Sequence, residues 1–132
     1  ITVSLAPEHE GVVMKVEDRG VGIDPADRDF IWQGFYHTQQ TARYATKKPF
    51  DFGAGGKGLE LMRLKLLAEE GLIDLSFESS RCVHIAGSSE DCSGKISECP
   101  YIDSPEACRE SGGTVFTVRF PWKNVPEGVE PS

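Results

Sequence analysis

Two glycine-rich segments constrain the fold of this chain most strongly. Residues 18–23 read Asp-Arg-Gly-Val-Gly-Ile, and residues 53–58 read Gly-Ala-Gly-Gly-Lys-Gly. Glycine permits tight turns and close approach of the backbone to a ligand. Each segment is followed by a helix-forming stretch, and alternating apolar residues before the first one predict a β-hairpin over 1–17. The pattern therefore predicts an α/β domain with glycine loops at its ligand site.

The segment after the first glycine loop carries the signals of a short helix over about 25–33. Asp24 can act as N-cap, Pro25 takes the first helical position, and Asp27 lies near the positive end of the helix dipole.

A longer helix is predicted over 59–70. Leu59, Met62 and Leu66 share one stripe, which assigns the leucines of 59–67 to the core, and Gly71 is placed to end the helix. Alternating apolar residues predict two further strands, over 72–78 and 114–121.

A cysteine segment, residues 79–112, separates these two strands. Its thiols, Cys82, Cys92, Cys99 and Cys108, are spaced by nine, six and eight residues among few large apolar side chains. We expect a cross-link or a ligand to order it, since no core can. Zinc knuckles of the C-x₂₋₄-C type are missing, an iron–sulfur cluster needs no fixed spacing, and disulfides are disfavoured in a reducing cytosol. Zinc, iron–sulfur, disulfides and free thiols all remain open.

Composition limits the partners and the location. With 14 Lys+Arg against 21 Asp+Glu in 132 residues, the formal charge of −7 argues against binding nucleic acid or an anionic membrane. No membrane-spanning or signal-peptide pattern is present, so we expect a cytoplasmic domain without direct membrane contact. The domain should cover 1–123, and residues 124–132 should form a polar tail.

Two common phosphate-binding motifs fit the second glycine segment poorly. Gly53, Gly55 and Gly58 match G-x-G-x-x-G, but the preceding residues 46–52 contain proline and charge where a buried strand is required. A Walker-type loop needs a lysine directly after the last glycine, and Leu59 stands there.

A different family uses both glycine loops. Asp18-x-Gly-x-Gly-Ile, Ile31-Trp-Gln-Gly-Phe-Tyr, Gly55-Gly-Lys-Gly-Leu-x-Leu and Gly113-Thr-Val-Phe-Thr-Val-Arg-Phe-Pro, in this order, resemble the ATP-binding domain of sensor histidine kinases. Gyrase, MutL and a heat-shock chaperone belong to the same superfamily. The resemblance covers about 1–78 and 113–121. It implies an α+β two-layer sandwich, with a mixed, mostly antiparallel sheet and helices on one face.

The resemblance also implies a nucleotide site. Asp18 would accept a hydrogen bond from the adenine 6-amino group, which guanine lacks. Backbone N–H groups at the start of the long helix would hold phosphates, and residues 37–52, with Lys47 and Lys48, would form the lid. The residues so assigned are Asp18, Gly20, Gly22, Ile23, Gly55, Gly56, Lys57, Gly58 and Leu59.

The implied parent protein is a homodimeric histidine kinase, in which ATP phosphorylates a histidine on a dimerisation domain and the phosphoryl passes to a response regulator. In the family, Mg²⁺ is held by an asparagine on a helix preceding the strand that begins here at Ile1. Neither that helix nor the phosphoacceptor histidine is found in the chain, so we expect these residues alone to be inactive. Glu60, Gln33 and Gly34 also depart from the family pattern.

In an alternative interpretation, the chain has the nucleotide site but belongs to a protein without kinase activity. In it, the chain is a non-catalytic nucleotide-binding module, or a redox- or metal-sensing module, whose working part is the cysteine segment.

Overall fold

The structure is a computed structural model that describes residues 1–34, 59–85 and 92–122. Its strands are β1 (Thr2–Glu8), β2 (Gly11–Asp18), β3 (Asp74–Ser80) and β4 (Gly113–Pro121). Its α-helices are α1 (Glu60–Glu69) and α2 (Pro105–Ser111), and a 3₁₀ helix covers Ile96–Glu98. None of these helices has the length and apolar character needed to cross a membrane.

The four strands form one sheet in the order β1-β2-β4-β3, and each neighbouring pair is antiparallel. The register places Val16 opposite both Val3 and Phe116, and Phe116 opposite Phe77. Directly paired residues point to the same side of a sheet. One face is therefore apolar across all four strands, as the alternation in the sequence predicts.

Aromatic packing and α1 cover the β3–β4 half of this apolar face. Trp32 meets Phe77 and Phe116 edge-on, with ring centroids 5.5 and 6.1 Å apart, and the two phenylalanine rings stack at 5.5 Å. Helix α1 contacts β3. On β1, by contrast, Val3 and Leu5 are 59% and 67% exposed. The sheet and its helices confirm the α+β two-layer sandwich.

Helix α1 ends as the sequence predicts. Gly71 has a φ of 71°, and its N–H bonds the carbonyl of Ala68 while the N–H of Leu72 bonds that of Leu67. These two bonds make a Schellman motif, which satisfies carbonyls that the helix end leaves free. Leu66 and Leu67, however, are 51% and 42% exposed. The assignment of all the leucines in 59–67 to the core is wrong, because α1 turns only one side toward the sheet.

The predicted helix over 25–33 is also wrong. Asp24 does cap the segment, since its Oδ1 accepts the N–H of Ala26 at 2.8 Å. Residues 24–33 then form successive turns, in which Asp27, Phe30 and Gln33 each bond the carbonyl three residues earlier. Bonds of this spacing produce tight turns in place of the α-helical ladder. These turns place Trp32 over the sheet, where its ring contacts Phe77 and Phe116.

Candidate nucleotide site

Asp18 lies at the end of β2, where the strand passes into the glycine loop, residues 18–23. Its partner in the register is Thr114 at the start of β4, so both belong to the helix-covered face. The carboxylate is half-buried, and its Oδ1 accepts the N–H of Gly20 at 2.9 Å. Within the described ranges no other hydrogen bond engages this carboxylate. Its second oxygen is left to accept a hydrogen bond from a ligand.

Two hydroxyl groups, on Ser79 and Thr114, lie beside Asp18 on neighbouring strands. Their oxygens are 2.8 Å apart, and the Ser79 hydroxyl also accepts the N–H of Ile23 at 2.8 Å. Thr114 is 4% exposed. The pair therefore forms a polar floor next to the carboxylate, and it ties the glycine loop to β3.

Gly22 requires glycine for two reasons. Its φ is 76°, a left-handed conformation that costs other residues about 1–2 kcal/mol. A Cβ built at this position would also overlap the carbonyl oxygen of Ser80. Close contact with the end of β3 thus explains the second glycine of the loop.

Further contacts hold the loop against β3 and the residues that follow it. Arg28 donates from its guanidinium to the carbonyl oxygen of Ser79 at 2.6 Å, and the N–H of Cys82 donates to the carbonyl of Val21 at 2.7 Å. Sequence reasoning missed Ser79, Arg28 and the role of Thr114. The hydroxyls could have been found by pairing the predicted strands, because the position opposite Asp18 follows from the register.

The N-terminus of α1 contacts the turn segment that follows the glycine loop. Leu59 precedes the helix, and no side chain caps its first turn. A Cβ at Gly34 would lie 2.9 Å from the sulfur of Met62 and 3.4 Å from a methyl of Leu59, so the turn segment after the glycine loop packs on the start of α1. The remaining residues predicted to bind phosphate or form the lid are outside the described residues: Gly55, Gly56, Lys57, Gly58, Lys47 and Lys48.

The candidate metal ligands lie in the cysteine segment. Cys82, Cys92, Cys99 and Cys108 are all half-buried, and no disulfide joins them. Burial raises the pKa of the Cys108 thiol, and the neighbouring thiols of Cys92, Cys82 and Cys99 raise that pKa further. In the described ranges no three His, Cys, Asp or Glu side chains are arranged as a ligand set for a metal ion.

An acidic carboxylate at a strand end, a close-packed glycine loop and a helix start without a side-chain cap, packed on the segment that follows the loop, are features suited to a nucleotide site. Residues 1–124 match the family described as histidine kinase-, DNA gyrase B-, and HSP90-like ATPase. The chain belongs to this ATPase family. Comparison with curated proteins found no match.

Membership of this family indicates that the ligand of the domain is ATP. The histidine kinase-, DNA gyrase B-, and HSP90-like ATPases share an ATP-binding domain, and the match spans all four strands and both glycine loops. The resemblance drawn from the motifs is thereby confirmed, and ATP binding follows from it. The family includes proteins with different activities, so the reaction served by this ATP site is a separate question.

Proposed function

We propose that this chain is the ATP-binding part of a sensor histidine kinase. In this proposal Asp18 receives the adenine 6-amino group on its second oxygen, and Ile23 provides an apolar wall for the base. The N–H groups of Gly55, Gly56 and Gly58, the side chain of Lys57, and the start of the helix at Leu59 hold the phosphates.

The observation that carries the proposal is the state of the Asp18 carboxylate. One oxygen accepts the N–H of Gly20 at 2.9 Å, which orients the group, and among the described residues no donor engages the other oxygen. The adjoining hydroxyls of Ser79 and Thr114 lie on the same face of the sheet. The Asp18 carboxylate, held beside these two hydroxyls, accepts a hydrogen bond from a base that carries an amino group. A base with a carbonyl at the same position would leave the carboxylate unpaired, and would therefore bind more weakly.

The wider assignment rests on the family. We propose that this domain works in the cytoplasm as part of a homodimeric parent kinase, which phosphorylates a histidine on its dimerisation domain and passes the phosphoryl to a response regulator. Mg²⁺ would supply charge neutralisation at the phosphates. On the family resemblance, we assign its ligand to an asparagine on a helix that precedes the strand beginning at Ile1.

A pair of nucleotides that differ only at purine position 6 tests the adenine contact. ATP and inosine triphosphate should compete for a fluorescent ATP analogue on the longest natural form of the protein. We expect inosine triphosphate to bind roughly 10- to 150-fold more weakly, the equivalent of about 1.5–3 kcal/mol for a hydrogen bond to a charged group. Equal affinities would remove Asp18 from base recognition.

Phosphohistidine formation tests the kinase assignment separately. Incubation with γ-labelled ATP should give protein-bound phosphate that is stable in alkali and lost in acid. The non-catalytic alternative, built on the cysteine segment, predicts ATP binding without this product. ATP binding without phosphohistidine would therefore favour a sensing module.

A further inference from the structure

The cysteine segment leaves and re-enters the sheet beside the glycine loop. Ser80 at the end of β3 pairs with Gly113 at the start of β4, so the two ends of the segment are adjacent. We call these ends, residues 80–83 and 111–113, the junction. Both ends contact residues 18–23, the glycine loop of the nucleotide site, and they also contact each other.

The departing end of the segment is packed against the glycine loop. A Cβ at Gly22 would overlap the carbonyl oxygen of Ser80 and lie 2.9 Å from the Cα of Arg81. One residue further on, the N–H of Cys82 donates to the carbonyl of Val21 at 2.7 Å. The first residues of the segment thus contact the loop through main-chain atoms.

The returning end is packed against the departing end and against Asp18. A Cβ at Gly112 would lie 2.9 Å from the backbone nitrogen of Cys82 and 2.9 Å from the carbonyl oxygen of Ser80. A Cβ at Gly113 would lie 2.6 Å from the carbonyl oxygen of Asp18. Glycine at these two positions therefore allows the main chains to approach more closely than a residue with a side chain would.

Ser111 holds the two ends of the segment together. The N–H of Val83 donates to the carbonyl of Ser111 at 2.9 Å, and the thiol of Cys82 donates to its hydroxyl at 3.4 Å. That hydroxyl donates in turn to the carbonyl of Cys108 in α2 at 2.7 Å. Ser111 is 6% exposed, so these bonds are shielded from water. The backbone of residues 82 and 83 therefore joins the glycine loop on one side and the returning end on the other.

Main-chain contacts of this kind transmit movement. A side chain can change its rotamer when a neighbour shifts, whereas two backbones in contact have to move together. A shift of the junction therefore displaces Val21, Gly22 or the carbonyl of Asp18, and a shift of the loop displaces the junction. The junction opens when the bonds of Cys82 and Val83 break, as in other local openings of a fold.

We propose that the cysteine segment is a regulatory insertion, coupled to the nucleotide site through the junction. A nucleotide held by Asp18 favours the closed junction, because opening releases the loop whose Gly20 N–H orients the Asp18 carboxylate. By linkage, a change that opens the junction weakens nucleotide binding by the same coupling factor. The inference rests on the proposed nucleotide site and adds to it the element that regulates the site.

Hydrogen exchange at the Val83 amide tests this coupling. The amide bonds Ser111, and neither residue belongs to the glycine loop. Saturating ATP, added to the longest natural form of the protein, should slow exchange of this amide about 5-fold or more, within the usual range for coupled sites. The amide of Cys99, which bonds Ile96 elsewhere in the segment, is the internal control and should exchange at the same rate with and without ATP.

Substitutions at the junction test the coupling in the other direction. Gly112→Ala places a Cβ 2.9 Å from the backbone nitrogen of Cys82 and should open the junction, so the Kd for ATP should rise about 5-fold or more. Ser111→Ala removes the buried hydroxyl and should have a smaller effect in the same direction. Ser97→Ala, at an exposed position of the same segment, should leave the Kd unchanged. Circular dichroism reports whether each variant is folded.

The outcomes separate this inference from the nucleotide site on which it rests. With ATP binding shown by calorimetry, unchanged exchange at Val83 would overturn the coupling alone. Normal ATP affinity of folded Gly112→Ala and Ser111→Ala proteins would overturn it as well. Absence of ATP binding by the wild-type protein would overturn the proposed nucleotide site, and the coupling with it.

Discussion

The N–H of Cys82 donates a 2.7 Å hydrogen bond to the carbonyl oxygen of Val21, so the first cysteine of the cysteine segment is joined to the glycine loop of the nucleotide site. This contact is main chain to main chain, and it lies two residues beyond β3. Val21 lies between Gly20 and Gly22, so a constraint on the backbone of residue 82 also constrains the glycine loop. The cysteine segment and the glycine loop of the nucleotide site are therefore directly connected.

Asp18→Asn should weaken ATP binding by about 1.5–3 kcal/mol, because the amide keeps one acceptor and loses the charge. The dissociation constant, measured by calorimetry, is expected to rise roughly 10- to 150-fold. Asp74→Asn is the matched control: it removes an exposed carboxylate at the opposite end of β3 and should leave ATP affinity unchanged. A folded Asp18→Asn protein with normal affinity would contradict the assignment.

Ser79→Ala should loosen the glycine loop. The change leaves the N–H of Ile23 without its side-chain acceptor and removes the hydroxyl partner of Thr114, at a cost of about 1–3 kcal/mol in the free energy of unfolding. Hydrogen exchange at the Ile23 amide should accelerate. Ser76→Ala, on the exposed face of the same strand, should change neither quantity. Unaltered protection of Ile23 would show that another group holds the loop.

Two glycine substitutions separate backbone conformation from steric overlap. Gly22 and Gly71 have φ values of 76° and 71°, but a Cβ at Gly22 overlaps the Ser80 carbonyl whereas nothing lies within 4 Å of one at Gly71. Gly71→Ala should therefore destabilise by about 1 kcal/mol and Gly22→Ala by at least about 1 kcal/mol more. Urea denaturation measures both. Equal losses would mean that the loop can move away from β3.

Deletion of residues 81–110 should leave the sandwich folded. Ser80 and Gly113 are partners in the register, so Ser111 and Gly112 would remain as a two-residue hairpin loop between β3 and β4. Loss of the bond from Cys82 to Val21 costs about 1 kcal/mol, which lowers Tm by about 4–8 °C for a domain of about 100 residues. Thermal denaturation followed by circular dichroism checks this. An unfolded deletion variant would show that the cysteine segment is part of the core.

Local patterns in the sequence were sufficient for much of the fold. Alternating apolar residues predicted all four strands, and Gly71 marked the end of α1, because side-chain period and glycine conformation are properties of short stretches. The same patterns failed over 25–33, where Asp24 caps the segment but turns follow in place of an α-helix. They also failed at Leu66, which shares the apolar stripe of α1 but is exposed. A local sequence pattern does not show how much of a helix the neighbouring sheet covers.

The candidate site, like the fold, was predicted from the sequence only in part. By itself the sequence determined the family, since the family match depends on residue type and order along the chain. It also predicted Asp18 as the acceptor and marked the four cysteines as a group. Only the tertiary structure decided that Ser79 and Thr114 lie beside Asp18, that Gly22 packs against Ser80, and that Cys82 bonds Val21. The physical reason is that these contacts join residues about 60 to 100 positions apart. Strand register sets them, and register is fixed by the packing of the whole sheet.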